Sequence, residues 1–308
     1  MGEVPLKGAV GVKENHMKTK ILAGLVGVGI AVPALIFIHW PIVDGLLMLV
    51  SALAAFELCK VTELKNKALL IVATVAAPLT LLLMAWPQLR PFGLGMFPLL
   101  MALGLVLIVL FLAQFKKTTF QQLIFAAMAS IVVPSAAATL LLVRDYFLFS
   151  PTFGYPVQLV ADNPGFATFM VLLVLTCAWM TDAMAYFTGK AFGKRKLCPN
   201  ISPNKTWAGA IGGVLCTVVL NLLLLAAFIP LIEQTIGLLE FVLVGVASLI
   251  LCPIAIIGDL LASTLKRNLG IKDFGKLMPG HGGALDRFDS FLLVAPTMWA
   301  ILSTLYAL

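Results

Sequence analysis

Between Gly258 and Asp289 the chain gathers four aspartates, three lysines, two arginines and a histidine within 32 residues, beside six glycines. Carboxylates can fix a divalent cation, ammonium and guanidinium groups can hold phosphate, and glycines let backbone approach a ligand closely. Together these are materials for handling a metal and a polyphosphate. Asp259 follows Gly258 at the end of an apolar run. Ser263, Lys266 and Arg267 come next at helical spacings, which puts a hydroxyl and cations on one face. Pro279-Gly280-His281-Gly282-Gly283 cannot continue a helix and suits a turn held against a ligand. Asp286 and Asp289, three apart where the next apolar run starts, share a face and can point at one cation.

A second set of residues lies upstream. Asp182 sits in Trp179-Met180-Thr181-Asp182-Ala183-Met184-Ala185-Tyr186, inside an otherwise apolar run. A charge in hydrocarbon costs at least ~2.5 kcal/mol, so it should face protein, water or a metal; pairing with Lys190 is the plainer alternative. Tyr186, four residues on, shares its helical face. The loop from Gly189 to Gly209 carries Lys190, Lys194, Arg195 and Lys196, which anionic headgroups alone would explain. Within it, Ser202-Pro203-Asn204-Lys205-Thr206 precedes a new apolar helix. An ammonium, a hydroxyl and a helix N-terminus converge there on any anion, although Asn204 or Thr206 acting as an ordinary N-cap fits equally well.

The elements that position these groups are membrane helices. The 308 residues are 61% hydrophobic and 11% charged, which excludes an ordinary soluble domain. Runs of about 20 apolar residues, the length that crosses a bilayer, recur near 21–38, 42–59, 68–86, 92–115, 120–143, 166–189, 208–230, 239–262 and 288–307. The fold expected is an all-α polytopic membrane protein of about nine transmembrane helices forming one integral domain. A polar arm at 1–20 leads into scaffold helices at 21–165 and a catalytic region at 166–308. Of the 21 Lys and Arg, all but Arg90 and Arg144 fall on alternate connections. The positive-inside rule then puts the N-terminus and the basic loops in the cytoplasm and the C-terminus on the opposite side. That alternation explains the net charge of +7 as topology and argues against nucleic-acid binding.

Other features read as structural. The five cysteines have no C-x-x-C spacing and suggest packing rather than a disulfide framework or zinc. Pro33, Pro78 and Pro134 lie inside apolar runs, where each would kink a helix. Glu57 and Glu63 are expected to pair at the surface with Lys60, Lys65 or Lys67. No internal repeat is visible, which weighs against an inverted-repeat ion or lipid transporter.

The pattern Ser263-x-x-Lys266-Arg267, then Lys272-Asp273, then Pro279-Gly280-His281-Gly282-Gly283-x-x-Asp286-Arg287-Phe288-Asp289 resembles the signature of phosphatidate cytidylyltransferases, also called CDP-diacylglycerol synthases. Asp182-x-x-Ala185-Tyr186 and Ser202-Pro203-x-Lys205-Thr206-Trp207 are similar to that family's upstream motifs, in the same order. Ala183, Met184, Ala208 and Ala262 depart from the pattern. The chain length and positive-inside pattern fit a bacterial inner membrane, and the resemblance implies an enzyme of phospholipid biosynthesis. It would join CTP and phosphatidate into CDP-diacylglycerol and pyrophosphate, at a site facing the cytoplasm. It implies Mg²⁺ on Asp259 and Asp286, with Asp289 and Asp182 in or near the metal shell, and leaves room for a second metal or a monovalent cation. Lys205, Lys266, Arg267 and Lys272 would hold phosphates, and His281 with Gly282 and Gly283 would stabilise the leaving pyrophosphate. Arg287, Ser202, Thr206, Ser263 and Tyr186 complete the expected substrate contacts. A homodimer is also what the resemblance suggests. A CTP-dependent lipid kinase and an isoprenoid-lipid cytidylyltransferase are the neighbouring alternatives.

Overall fold

The structure, a computed structural model, describes residues 41–86, 89, 95–146, 164–232, 236–275 and 282–305. The expected span at 21–38, Pro33, Arg90, His281 and the turn around Pro279 lie outside the described residues. The remaining apolar runs are all helical: α1 (Pro41–Val61), α2 (Lys67–Ala85), α3 (Met96–Ala113), α4 (Phe120–Ala127), α5 (Val133–Tyr146), α6 (Pro164–Phe192), α7 (Trp207–Phe228), α8 (Leu238–Asn268), α9 (Leu285–Phe288) and α10 (Phe291–Leu305). Among the described residues seven helical stretches are long and apolar enough to cross a membrane, α4 and α5 forming a single one, and Phe291–Thr304 is a shorter apolar helix.

Local chemistry sets the ends and irregularities. Asn66 caps α2 by accepting the Leu69 N–H, and its amide reaches the Leu110 carbonyl, tying α2 to α3. Thr119 and Gln122 form a capping box at α4. A π-helical turn at Met128–Val132 joins α4 to α5 just before Pro134. Proline brings no N–H to the ladder, so a locally widened turn fits there. Pro78 is accommodated inside α2.

The described residues are mostly helical, as expected of an all-α polytopic membrane protein, with one short hairpin besides: Lys196–Cys198 (β1) pairs antiparallel with Ser202–Thr206 (β2), Lys196 opposite Thr206. Two expected element bounds are corrected. The helix expected at 239–262 continues to Asn268, so Gly258-Asp259 does not close it. Nothing in Leu260–Asn268 breaks a helix, and the first glycine beyond it, Gly270, has a positive φ of 68°. Ser263, Lys266 and Arg267 therefore extend on the same rod as Asp259. The run expected at 288–307 is broken instead, with a turn at Asp289 and Ser290 between α9 and α10.

Two apolar clusters form the core. One packs α5, α6, α8 and α10 around Phe169, Leu173, Leu251 and Phe291. The other packs α1, α2, α3 and α4 around Leu58, Leu69, Leu107 and Phe125, and it also contains Phe274, Ala284 and Leu285. The loop preceding α9 is thus seated on the N-terminal helices, although the chain reads as scaffold followed by catalytic region.

Helices α6 and α7 approach closely. A Cβ on Gly209 would lie 2.6 Å from the Ala185 carbonyl oxygen, and one on Gly213 would lie 2.7 Å from that of Thr181. Glycines four apart let two backbones meet, as in other small-residue membrane crossings. A buried polar seam continues between α6, α7 and α8, where Asn221 accepts from Thr176 at 2.6 Å and donates to Ser248 at 3.0 Å.

Arg144 is not a loop charge. It is buried at the end of α5, its guanidinium 2.5 Å from Asp44 of α1 and 2.6 Å from Asp145. Asp44 also accepts from the Trp86 indole at 3.3 Å.

Candidate active site

The site is built from charge: Lys205 and Lys266 each stand between two carboxylates. Lys205, at the end of β2, places its ammonium 2.6 Å from Asp259 of α8 and 3.1 Å from Asp182 of α6. The hairpin brings it there because Thr206 caps α7, accepting the Gly209 N–H at 3.1 Å, while Gly209 rides against α6. Burial alone would lower the Lys205 ammonium, but the flanking Asp182 and Asp259 outweigh it and raise its pKa.

Lys266, two turns beyond Asp259 on α8, lies 2.9 Å from Asp286 and 3.6 Å from Asp289. Its ammonium also sits 5.3 Å from the centre of the Phe274 ring. Asp286 is buried, and its second oxygen accepts the backbone N–H groups of Phe274 at 2.8 Å and Gly283 at 2.9 Å. Gly282 has a φ of 88°, and a Cβ there would come 2.9 Å from the Asp286 carboxylate. The glycine is needed both for its backbone and for the room it leaves.

Ser290 joins the two lysine-centred sets. Its hydroxyl donates to Asp182 at 3.1 Å, and its N–H donates to Asp289 at 2.8 Å. Burial and then the Asp259 carboxylate raise Asp289 to about 6. Among the described residues no three His, Cys, Asp or Glu side chains are grouped to cage a metal. Mg²⁺ does not require such a cage, since it is commonly held by one or two carboxylates with water and substrate phosphates completing the shell. Carboxylates close enough for the charge of Asp259 to raise Asp289 fit that mode.

The expected residues thus divide. Asp182, Lys205, Asp259, Lys266, Asp286 and Asp289 come together, with Gly282 and Gly283 beside them. Ser263 occupies α8 between the two lysine-centred sets. Thr206 is used as a helix cap, the plainer of its two readings. Ser202 opens β2 opposite Cys198. Arg267 is exposed and reaches the Ile271 carbonyl at 3.5 Å, and Lys272 is exposed on the same loop. Tyr186 is exposed against Phe187 rather than drawn into the cluster. Exposed Arg287 offers its backbone carbonyl to the Trp179 indole at 3.2 Å.

Two participants were missed in the sequence. Ser290 carries no motif spacing beyond its place after Asp289. Glu57, expected to pair with surface lysines, is instead buried, its carboxylate accepting the Leu285 N–H at 3.2 Å. The only sequence signal for Glu57 was an acid in the last turns of an apolar helix.

Fold and site together define an integral membrane protein that gathers paired lysines and carboxylates from its helices and loops. The chain belongs to the cytidylyltransferase family, whose pattern matches residues 18–305. It is 32% identical over 302 residues to the phosphatidate cytidylyltransferase of Bacillus subtilis, an alignment covering 93% of this chain and 98% of that one. It is 36% identical over 185 residues to the Haemophilus influenzae phosphatidate cytidylyltransferase, covering 59% of this chain and 57% of the relative. A Staphylococcus aureus phosphatidate cytidylyltransferase is 44% identical over 128 residues, covering 42% and 46%.

Proposed function

We propose that this protein transfers the cytidylyl group of CTP to phosphatidate, giving CDP-diacylglycerol and pyrophosphate. The observation that carries the reading is the pair of lysine-bridged carboxylate sets, Asp182–Lys205–Asp259 and Asp286–Lys266–Asp289, held together through Ser290 in a chain of this family.

In the reaction a phosphatidate oxygen bonds to the α-phosphorus of CTP, the bond from that phosphorus to the bridging oxygen breaks, and pyrophosphate leaves with the electron pair. Phosphatidate is already ionised near neutral pH, so the main obstacle is repulsion between anions rather than lack of a base. Lys205 and Lys266 are each neutralised by carboxylates, and an arriving phosphate competes for the same ammonium groups. Their role is to exchange a carboxylate partner for a phosphate one. Asp259 and Asp286, with Asp289 and Asp182 beside them, are the residues that would hold Mg²⁺. When bound, Mg²⁺ supplies charge neutralisation of the phosphate oxygens. Arg267 and Lys272, exposed beside the site, supply further positive charge toward the triphosphate.

The basic connections support an orientation with this site facing the cytoplasm of a bacterial inner membrane, where CTP is available and where the site meets the depth of a lipid phosphate. A homodimer is the assembly expected of the family.

The deciding assay uses purified protein in detergent with phosphatidate, Mg²⁺ and labelled CTP. Label from the α-phosphate should enter the lipid. Label entering from the γ-phosphate would make it a lipid kinase, and incorporation only into an isoprenoid phosphate would change the acceptor. Incorporation of neither label would sink the transferase reading and favour a transporter.

A further inference from the structure

Glu57 lies one turn before the end of α1, among buried Ala54, Leu58 and Cys59 of the same helix. Its carboxylate accepts the N–H of Leu285 at 3.2 Å and also that of Ala284. These two groups open α9, the short helix that begins with Leu285 and presents Asp286. A Cβ on either Gly275 or Gly283 would collide with this carboxylate. Both strands of the loop are therefore shaped around it. Asp286 grips the same two strands from the other side, taking the N–H groups of Phe274 and Gly283. The Asp286 carboxylate faces Lys266, and that of Glu57, 228 residues from the Leu285 N–H that donates to it, reaches in from the N-terminal helix α1.

A buried carboxylate is costly unless it is hydrogen-bonded, and an apolar side chain would fill the same space without that cost. What a Leu could not do is hold two backbone N–H groups in one direction. We infer that Glu57 is a positioning residue: by holding the turn into α9 it sets Asp286, and through it Lys266, at the site. It acts through Asp286 and does not itself touch substrate. The inference rests on the transferase reading for its turnover readout.

The test compares wild type, Glu57→Gln and Glu57→Leu in detergent, measuring kcat, the KM for CTP, and backbone hydrogen exchange across 282–290. Glutamine keeps an acceptor oxygen, so Glu57→Gln should retain kcat within about 3-fold. Glu57→Leu should lower kcat by about 10²-fold, as expected when a reacting constellation is misplaced by an ångström or so, with KM for CTP changed by far less. Exchange in the 282–290 peptide should quicken in Glu57→Leu while peptides from α6 and α7 stay protected. The inference is overturned if Glu57→Leu turns over within about 3-fold of wild type. It is equally overturned if Glu57→Gln is as inactive as Glu57→Leu, because the charge itself would then be required. Should Glu57→Leu not fold, Gly275→Ala decides: it leaves α1 unaltered but pushes on the carboxylate, and unchanged turnover would refute the inference. Wild-type protein without turnover would sink the transferase reading alone, and hydrogen exchange would still judge Glu57.

Discussion

Two clusters of ion pairs lie near opposite ends of α1, and they are built differently. Near its start, Arg144 is clasped by Asp44 and Asp145, with side chains 4%, 8% and 10% exposed. Near its end lies the site, where Lys205, Asp182 and Asp259 are 20%, 35% and 22% exposed. Asp44 and Glu57 are 13 residues apart on this helix, or about 20 Å at 1.5 Å per residue. A guanidinium offers a planar fork that is satisfied by two carboxylates at once, whereas an ammonium is a compact point charge that changes partner readily. The dry arginine cluster ties α1 to α5 and leaves nothing to exchange. The Lys205 cluster is partly open to solvent, while the Lys266 cluster, with side chains of Lys266, Asp286 and Asp289 12%, 3% and 12% exposed, is nearly as buried as the arginine tie and differs from it in its cation. The choice of cation, more than burial, separates the structural tie from the proposed site made of the same charges.

The comparison can be broken most sharply at Asp259. Asp259→Asn keeps the shape but removes the charge opposite Lys205, and kcat should fall by about 10³-fold, at the upper end of losses for a single electrostatic contact. Thermal unfolding in detergent should stay close to wild type, and turnover within a few-fold would remove Asp259 from the site. At the other cluster the expected effect is on stability. Arg144→Met leaves two carboxylates buried without their partner, which typically costs about 3–5 kcal/mol. It should lower the unfolding temperature while the folded fraction retains kcat. Loss of turnover in well-folded Arg144→Met would erase the distinction between the clusters.

Lys205→Met sharpens the exchange idea. With the competing ammonium gone, Mn²⁺ followed by electron paramagnetic resonance without nucleotide should bind at least as tightly as in wild type, while the KM for CTP rises about 10-fold or more. Weaker Mn²⁺ binding would show that Lys205 does not compete for the carboxylates. The smallest effect belongs to Tyr186→Phe. Its ring is exposed against Phe187, so kinetic constants should stay within about 2-fold of wild type. A larger change in either constant would return Tyr186 to the substrate contacts.

Much of this was legible in one dimension. Apolar runs long enough to cross a bilayer named the helices, because hydrocarbon imposes both length and composition. Asp182 inside such a run, and carboxylates and lysines at the ends of its neighbours, pointed to the candidate site, because ionisable groups are costly at the membrane. Asp182 and Lys205 were correctly associated with the segment from Gly258 to Asp289, although they stand more than 50 residues before it. What misled was local context. Glu57 stands three residues from Lys60 and reads as a surface pair, Arg144 reads as a loop charge, and Thr206 reads equally as ligand or cap.

Which chemistry is present and which segments carry it could be read along the chain, because charge, glycine and hydropathy act through composition and short spacing. Which partner each charge takes was settled by packing in three dimensions. Glu57 meets Leu285 across 228 residues, Arg144 meets Asp44 across 100, and Ser290 meets Asp182 across 108. A buried polar group must find a partner wherever packing puts one, and helix packing brings together residues that no spacing along the chain connects.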